Sequence, residues 1–315
     1  MSQTTFDDKE TRADDLDNTL DDLLSQLTSD VDSAESSDQL KNWLDTFAQF
    51  HGYSFNNVLL AQLQLAARDG DARLTHLAGY NKWADLNRNV KSGESALWIL
   101  APSGFVTICN ECDEYENDCE CANSTNTRRF PTSFRSVPVF DYSQTEGEDL
   151  PDLGAWDISG DAGLLPDALI EVITDDNISV RLLTESSWTH GNAKGVCKHG
   201  DDEIDVLQAP DAQLARVLIH EYTHARTHAE ERDADEKARR EVEADAAAYV
   251  VGSYYGLDMT GATFYVARWQ NDDPGVLRER LGRIGRIAKN IIEATDDSLE
   301  ALQDSSAEEP ILAVA

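Results

Sequence analysis

The sequence predicts an α+β protein in which a small α/β domain is followed by a mainly helical one. Three observations predict it. The chain has 315 residues, enough for two domains of roughly 100–200 residues each. The strand-like runs ESALWILAP, GFVTIC and VPVFDYSQ all fall between residues 94 and 144, where β-branched and aromatic side chains favour extended chain. From residue 165 onward most apolar residues recur at helical spacing.

The elements follow in order. Residues 1–38 are rich in Asp, Ser and Thr, and residues 1–50 hold 13 acidic against 3 basic side chains. That composition predicts a disordered or weakly helical acidic tail over 1–38. LKNWLDTFAQF and NNVLLAQLQLAARDG place apolar residues at helical spacing, with Gly70 as a stop. HLAGYNKWADL predicts a turn and another helix, and the strands come next, so the first domain spans 39–150 with a Cys-rich insert at 109–121. The stretch EGEDLPDLGAWDISGDAGLLP is polar and punctuated by Gly and Pro, which puts a linker at 151–164. The second domain spans 165–298: a helix in LPDALIEVI, strands in VRLLTE and DEIDVLQ, and a helix in APDAQLARVLIHEYTHARTH with Asp211 as N-cap. EVEADAAAYVVGSYYG predicts a second long helix ending near Gly256, and RERLGRIGRIAKNIIEA an amphipathic last one, leaving 299–315 as tail.

Charge is the outlier. Sixty acidic residues against 18 Arg and 8 Lys leave a net charge of −34. Such self-repulsion opposes compaction, but about 1 M salt screens it within about 3 Å. Acidic excess with few lysines therefore predicts a halophile's cytoplasm, the alternative being an acidic interaction surface in an ordinary cell. The start MSQTTFDDKETRADD has no basic or apolar signal region. No apolar run reaches the ~18 residues of a membrane span. A cytoplasmic protein without a membrane partner is expected, and there clustered thiols favour metal over disulfide.

The chemistry concentrates in LIHEYTHARTH, residues 218–228. His220-Glu221-Tyr222-Thr223-His224 is an HExxH pattern, and residues four apart on a helix share a face, so both imidazoles reach one Zn²⁺. Glu221 lies about 100° around the helix, where it meets a zinc-activated water as general base rather than the metal. Core or surface histidines are the competing explanation. Catalytic zinc takes three protein ligands, and a second helix begins at Glu241, 17 residues after His224. Glu241 and Asp245 lie one turn apart, so Glu241 completes a His₂Glu set while Asp245 takes the second-nitrogen hydrogen bond of a ligand histidine. Glu243 is the alternative third ligand, although it points about 200° away from Glu241. His228 is eight residues from His220, about 12 Å along an unbroken helix, too far for all three histidines to share one ion.

HEYTHA, REVEADAAAYVV and FYVARWQNDDPGVLRERLGRIGRIAKNIIE resemble the zincin-like metallopeptidases (minigluzincins) of the ImmA/IrrE and ArdC type. The resemblance implies zinc on His220, His224 and Glu241, with Glu221 as base. The long acidic spacer AEERDADEKARR departs from the pattern and bears on the third ligand.

Residues 51–100 hold five basic and four acidic side chains, near neutrality in a strongly acidic chain. Tyr53, Phe55, Tyr80, Trp83 and Trp98 lie there among Asn and basic residues, as a stacking surface for single-stranded nucleic acid requires. The same aromatics also suit the core of a small domain. FHGYSFNNVLLAQLQ, GYNKWADLNRNVKSGESALWILAP and VPVFDYSQTEG resemble the N-terminal domain of ArdC-type antirestriction proteins, which implies a single-stranded-DNA-binding domain. By chemistry type, the candidate contacts are Tyr53, Asn56, Asn57, Lys82, Trp83, Arg88 and Lys91. Basic residues 278–289 in the last helix predict a solvated face paired with the acidic body.

The insert CNECDEYENDCEC carries Cys109, Cys112, Cys119 and Cys121, a donor set suited to a second, structural zinc, with transient disulfides or free thiols as alternatives. Cys197 stands alone, and a buried small side chain is expected there. Together these features predict a zinc metalloendopeptidase that cleaves a protein, such as a DNA-bound regulator, coupled to single-stranded-DNA binding in antirestriction or regulation. The alternative is a non-proteolytic DNA-binding antirestriction protein with a structural zincin domain.

Overall fold

The computed structural model describes residues 9–29, 33–50, 52–68, 72–109, 115, 119, 127–149, 162–227, 234–259 and 274–307. The chain divides into two compact units, one from residues 1–22 and 59–150 and the other from 23–58 and 151–315. The chain therefore enters the first unit twice, unlike the consecutive domains expected from sequence.

In the first unit, residues up to Asp22 belong to α1 (Lys9–Ser29). Of the two expectations for the acidic N-terminus, disordered or weakly helical, residues 9–29 follow the helical one. The reason is a buried stripe, Ala13, Leu16 and Leu20, at helical spacing beneath the acidic residues. Arg12 also stacks on Trp98, 3.9 Å from the ring centroid. The main sheet pairs β3 (Leu97–Cys109) with β4 (Thr127–Asp141), in antiparallel register from Leu97↔Val139 to Cys109↔Thr127, and β4 with the short β1 (Leu77–Ala78). ESALWILAP and GFVTIC form one strand rather than two. Gly104 takes φ +65° between them, and the ladder continues from Ser103↔Ser133 to Phe105↔Pro131.

A lock of polar contacts fixes the other end of this unit. Asp141, fully buried, accepts hydrogen bonds from the backbone of Thr75 (2.7 Å), His76 (3.2 Å) and Ser143 (2.9 Å). The Trp83 indole, on α4 (Tyr80–Asp85), donates to the Phe140 carbonyl at 3.0 Å. Arg88, on β2 (Arg88–Val90), donates to Thr145 Oγ1 at 2.9 Å and to the Glu148 carbonyl, and lies 3.9 Å over the Tyr142 ring. β2 pairs in turn with β5 (Thr145–Gly147).

The second unit is a helical layer on a three-stranded sheet. α5 (Leu165–Asp175) buries Leu165, Ala168, Leu169, Val172 and Ile173. The sheet has the order β6–β8–β7: β6 (Ser179–Leu183) runs parallel to β8 (Glu203–Leu207), and β7 (Gly195–Lys198) lies antiparallel on the edge. β7 was not foreseen, being only four residues long. Ile204 and Val206 are buried on one face of β8. On the other, buried Asp205 meets Lys198 at 2.6 Å, Arg181 at 2.7 Å and His190 at 2.7 Å. The hydrogen bond from Arg181 holds its carboxyl well below the usual carboxylate range against the opposing effect of burial.

α6 (Asp211–Thr227) and α7 (Ala234–Tyr254) follow, with Asp211 inside the first turn of its helix rather than capping it. α7 is buried nearly all round through Ala244, Ala246, Ala247, Ala248, Val250 and Val251, the pattern of a central helix. It ends at Gly256, φ +71°, as its sequence suggested. α8 (Pro274–Ala307) runs beyond the expected boundary at 298, because Leu299 is still buried. α2 (Ser33–Gln49) belongs to this unit rather than to the first. Phe47 packs on Phe55, the first residue of α3 (Phe55–Arg68), at 5.3 Å between centroids.

Gly147, at φ +140°, pairs with Arg88, and a Cβ there would come within 2.8 Å of the Arg88 Cα. Gly93, at φ +91°, has nothing within 4 Å. Gly147→Ala therefore combines backbone strain with a clash that no side-chain movement relieves. It is expected to cost ~2–3 kcal/mol in chemical denaturation, against ~1 kcal/mol for Gly93→Ala. Equal losses would mean the close approach is not a constraint.

Candidate metal centre

α6 is sided by its sequence. Leu214, Ala215, Leu218, Ile219 and Tyr222 are buried in the unit, leaving His220 and His224 on a half-exposed face. Tyr222 anchors the helix by donating to Asp176, whereas buried Thr223 donates Oγ1 to the Ile219 carbonyl of its own helix at 2.8 Å. α7 brings Glu241 and Asp245 opposite. Donor atoms of His220, His224 and Glu241 all lie within 4.8 Å of one another. The two Nε2 atoms are 3.2 Å apart, and Glu241 Oε2 is 3.4 Å from that of His220 and 3.6 Å from that of His224.

These separations suit a divalent cation. Ligands about 2.0–2.1 Å from a tetrahedral ion stand roughly 3.3 Å apart, and three protein donors leave a fourth position open. The charge environment agrees. Burial works against a proton on His220, yet hydrogen bonds to Asp245 and Glu241 outweigh it and push its pKa up to about 10. The same two histidines hold Glu241 well below the usual carboxylate range. A cluster that binds a proton so firmly has a place for positive charge. Asp245 Oδ1 lies 3.1 Å from His220 Nδ1, which turns Nε2 toward the other donors.

Glu221 is near the cluster but outside the donor set. Its Oε2 accepts the Cys197 amide at 2.9 Å, and burial raises its pKa although both histidines oppose this. Gly195 makes room for it: a Cβ there would lie 2.6 Å from Glu221 Cγ and 2.7 Å from its Oε1. Gly195 and Cys197 are thus site residues that sequence reasoning missed, and the signal was a glycine inside a short strand-like run, KGVCK. The Cys197 thiol lines the cleft but is pushed up to about 12, by burial first and then by Glu221 and Asp202, so it is not a nucleophile near neutral pH. The cleft encloses ≈ 950 Å³.

Other expected site residues fall elsewhere. Glu243, the alternative third ligand, is buried and turned to α8, bonding Arg280 at 2.6 Å and Arg283 at 3.0 Å. Arg280 and Arg283 therefore pair with the acidic body as expected, but Arg280 does so buried, where it clamps α7, while Arg286 is exposed. His228, Cys112 and Cys121 lie outside the described residues. Cys109 is buried in β3 and Cys119 is half-buried.

Among the proposed DNA contacts, Trp83 and Arg88 must be withdrawn. Both are buried, at 1% and 4% exposure, and their polar atoms serve the lock described above. Lys82 and Lys91 are exposed, and Lys91 also donates to the Ser143 carbonyl at 2.8 Å. Tyr53, Asn56 and Asn57 belong to the second unit and the other four candidates to the first.

Comparison with known proteins bears on the first part of the chain. Residues 7–140 match the family described as the N-terminal domain of anti-restriction factor ArdC. The match starts ahead of α1, well before the boundary expected at residue 39. Two crystal structures of the antirestriction ArdC protein from the R388 plasmid are similar to the chain. The metal-free one has a TM-score of 0.47 at 18% identity, covering 87% of this chain and 99% of that one. The Mn(II)-bound one has 0.48 at 16%, covering 83% and 97%. No curated protein matches. Among the described residues, no helix is long and apolar enough to cross a membrane.

In Mn²⁺ titrations of the full chain, an ion that a thiolate cluster does not favour, His220→Ala and Glu241→Ala are expected to abolish binding at this centre. Asp245→Asn should weaken it about 10–100-fold. Glu243→Gln should leave the affinity intact and cost ~2 kcal/mol of stability, since Arg280 loses its charged bond to the buried Glu243 and keeps only Glu236. Loss of Mn²⁺ with Glu243→Gln would exchange the roles assigned to the two glutamates.

Proposed function

We propose that the chain is a metal-dependent peptidase, with zinc as its cofactor, that hydrolyses peptide bonds in a protein substrate. In this reading the first unit engages single-stranded DNA and the whole serves antirestriction or the cleavage of a DNA-bound regulator in the cytoplasm. The observation that carries the hydrolytic part is the position of Glu221, beside three convergent donors yet not one of them. A purely structural ion has no use for a buried carboxylate beside its donors.

A divalent cation on His220, His224 and Glu241 would supply Lewis-acid polarisation of a carbonyl and activation of water. The protein's own part is distinct. Asp245 keeps the proton of His220 on Nδ1, so that Nε2 is the donor. The Cys197 amide fixes Glu221 through Oε2, leaving Oε1 to take a proton from the attacking water and return it to the leaving nitrogen. Burial raises the basicity of this carboxylate, which suits proton transfer near neutral pH. β7 is the sheet edge, and the Cys197 amide faces out toward the cleft. By the alternation of an antiparallel strand, Gly195 presents its backbone on that same edge. An extended polypeptide can pair with such an edge. DNA engagement is supported by the ArdC N-terminal match over residues 7–140.

Glu221→Gln is expected to retain the metal and lose cleavage of casein or a regulator by about 10²–10⁴-fold, while single-stranded oligonucleotide binding stays unchanged. Gly195→Ala should act likewise by displacing the Glu221 side chain. Cleavage by Glu221→Gln at the wild-type rate would remove Glu221 from the role of base, whereas no cleavage by either protein would leave the non-proteolytic DNA-binding alternative.

A further inference from the structure

We infer that the cleft takes an acidic polypeptide segment, gripped by Arg216 and Lys237 on either side of the donor cluster and by Lys194 beside the edge strand. The inference deepens the hydrolytic reading and rests on it for the fate of the bound segment. The binding itself is testable without turnover.

The chain carries a net charge of −34, so its few cations are informative where they gather. Outside the metal centre's own Glu221, Glu241 and Asp245, the described residues of the cleft wall include no acidic one and four basic ones, Lys194, Arg216, Lys237 and Arg240. Arg240 lies 3.6 Å from Glu236 on its own helix. Lys194, Arg216 and Lys237 are exposed and form no ion pair among the described residues. Nor do the three carboxylates of the centre consume them. Glu241 faces both histidines, Asp245 faces His220, and Glu221 is held by the Cys197 amide. Three cations in a cleft, without internal partners, in a strongly acidic chain are placed for an external anion.

Their positions follow helical spacing. Arg216, His220 and His224 are four apart on one face of α6, and Lys237, Glu241 and Asp245 are four apart on one face of α7. His220 meets Asp245 while His224 meets Glu241, so the two helices run antiparallel at this point. Arg216 and Lys237 therefore lie at opposite ends of the donor cluster, each about one 5.4 Å turn beyond it. Lys194 immediately precedes Gly195, where β7 begins. A segment with acidic residues on both sides of its reacting bond matches this layout.

A polypeptide fits better than a nucleic acid strand. Among the described residues the cleft wall contains no Phe, Tyr or Trp, so there bases would find no aromatic platform, the usual source of single-strand affinity. It does contain a strand edge that can pair with a main chain.

The test uses the full chain carrying Glu221→Gln and fluorescein-labelled extended peptides of one length, with Glu, Gln or Lys flanking a common apolar centre. Fluorescence anisotropy is read at low ionic strength, where screening is weakest. The Glu peptide is expected to bind most tightly and the Lys peptide least. Adding Arg216→Gln with Lys237→Gln should weaken the Glu peptide roughly five- to tenfold, while Arg216→Lys restores part of the loss. Circular dichroism and Mn²⁺ affinity should stay unchanged. Equal affinity for Glu and Gln peptides, or no effect of the double substitution, would overturn the inference. So would competition by oligo-dT that depends on the same two cations. The two readings fail separately: wild-type cleavage indifferent to flanking acids sinks this inference alone, whereas tight Glu-peptide binding without any cleavage sinks the hydrolytic reading alone.

Discussion

The packing of α6 against α7 is the constraint on which the rest of the second unit depends. α6 must bury Leu214, Leu218, Ile219 and Tyr222 while turning His220 and His224 the other way, and α7 must meet that second face with Glu241 and Asp245. Because α7 is buried nearly all round, it has no freedom to roll. Glu243 on its far side is tied to Arg280 and Arg283 of α8. The alternative ligand thus serves helix packing instead of the donor set.

The second support comes from the sheet. β7 is short and half-exposed, yet it supplies the Cys197 amide that orients Glu221 and the missing side chain at Gly195 that admits it. A carboxylate with one oxygen held by a backbone donor and the other unheld is constrained in direction without being neutralised. On the opposite face of the same sheet, Arg181, Lys198 and His190 converge on Asp205.

The cations of this acidic chain fall into two groups. Arg88, Arg181, Arg280 and Arg283 are engaged internally, over an aromatic ring or against buried carboxylates. Arg216, Lys237 and Lys194 instead face an open cleft. The first group explains why residue type alone misled the choice of DNA contacts. Trp83 and Arg88 have the chemistry of a nucleic-acid surface, but an indole N–H and a guanidinium are equally good at satisfying buried carbonyls, and here they close the end of the first unit.

Much of this was legible in one dimension. The HExxH spacing and the later Glu241 and Asp245 identified the candidate donors because four-residue periodicity is a property of the helix itself, and the boundaries of α5 and β8 and the end of α7 followed from local apolar pattern, although α7 starts at Ala234 and not at the expected Glu241. What needed the tertiary structure was everything that depends on a distant partner. The helix in the acidic N-terminus rests on the burial of Ala13, Leu16 and Leu20. The role of Glu243 depends on arginines some forty residues along the chain, and Gly195 and Cys197 joined the site only through strand pairing. Sequence by itself determined which side chains share a helix face, since backbone geometry is local. Only the fold decided which faces meet, because that depends on burial summed over segments far apart in the chain.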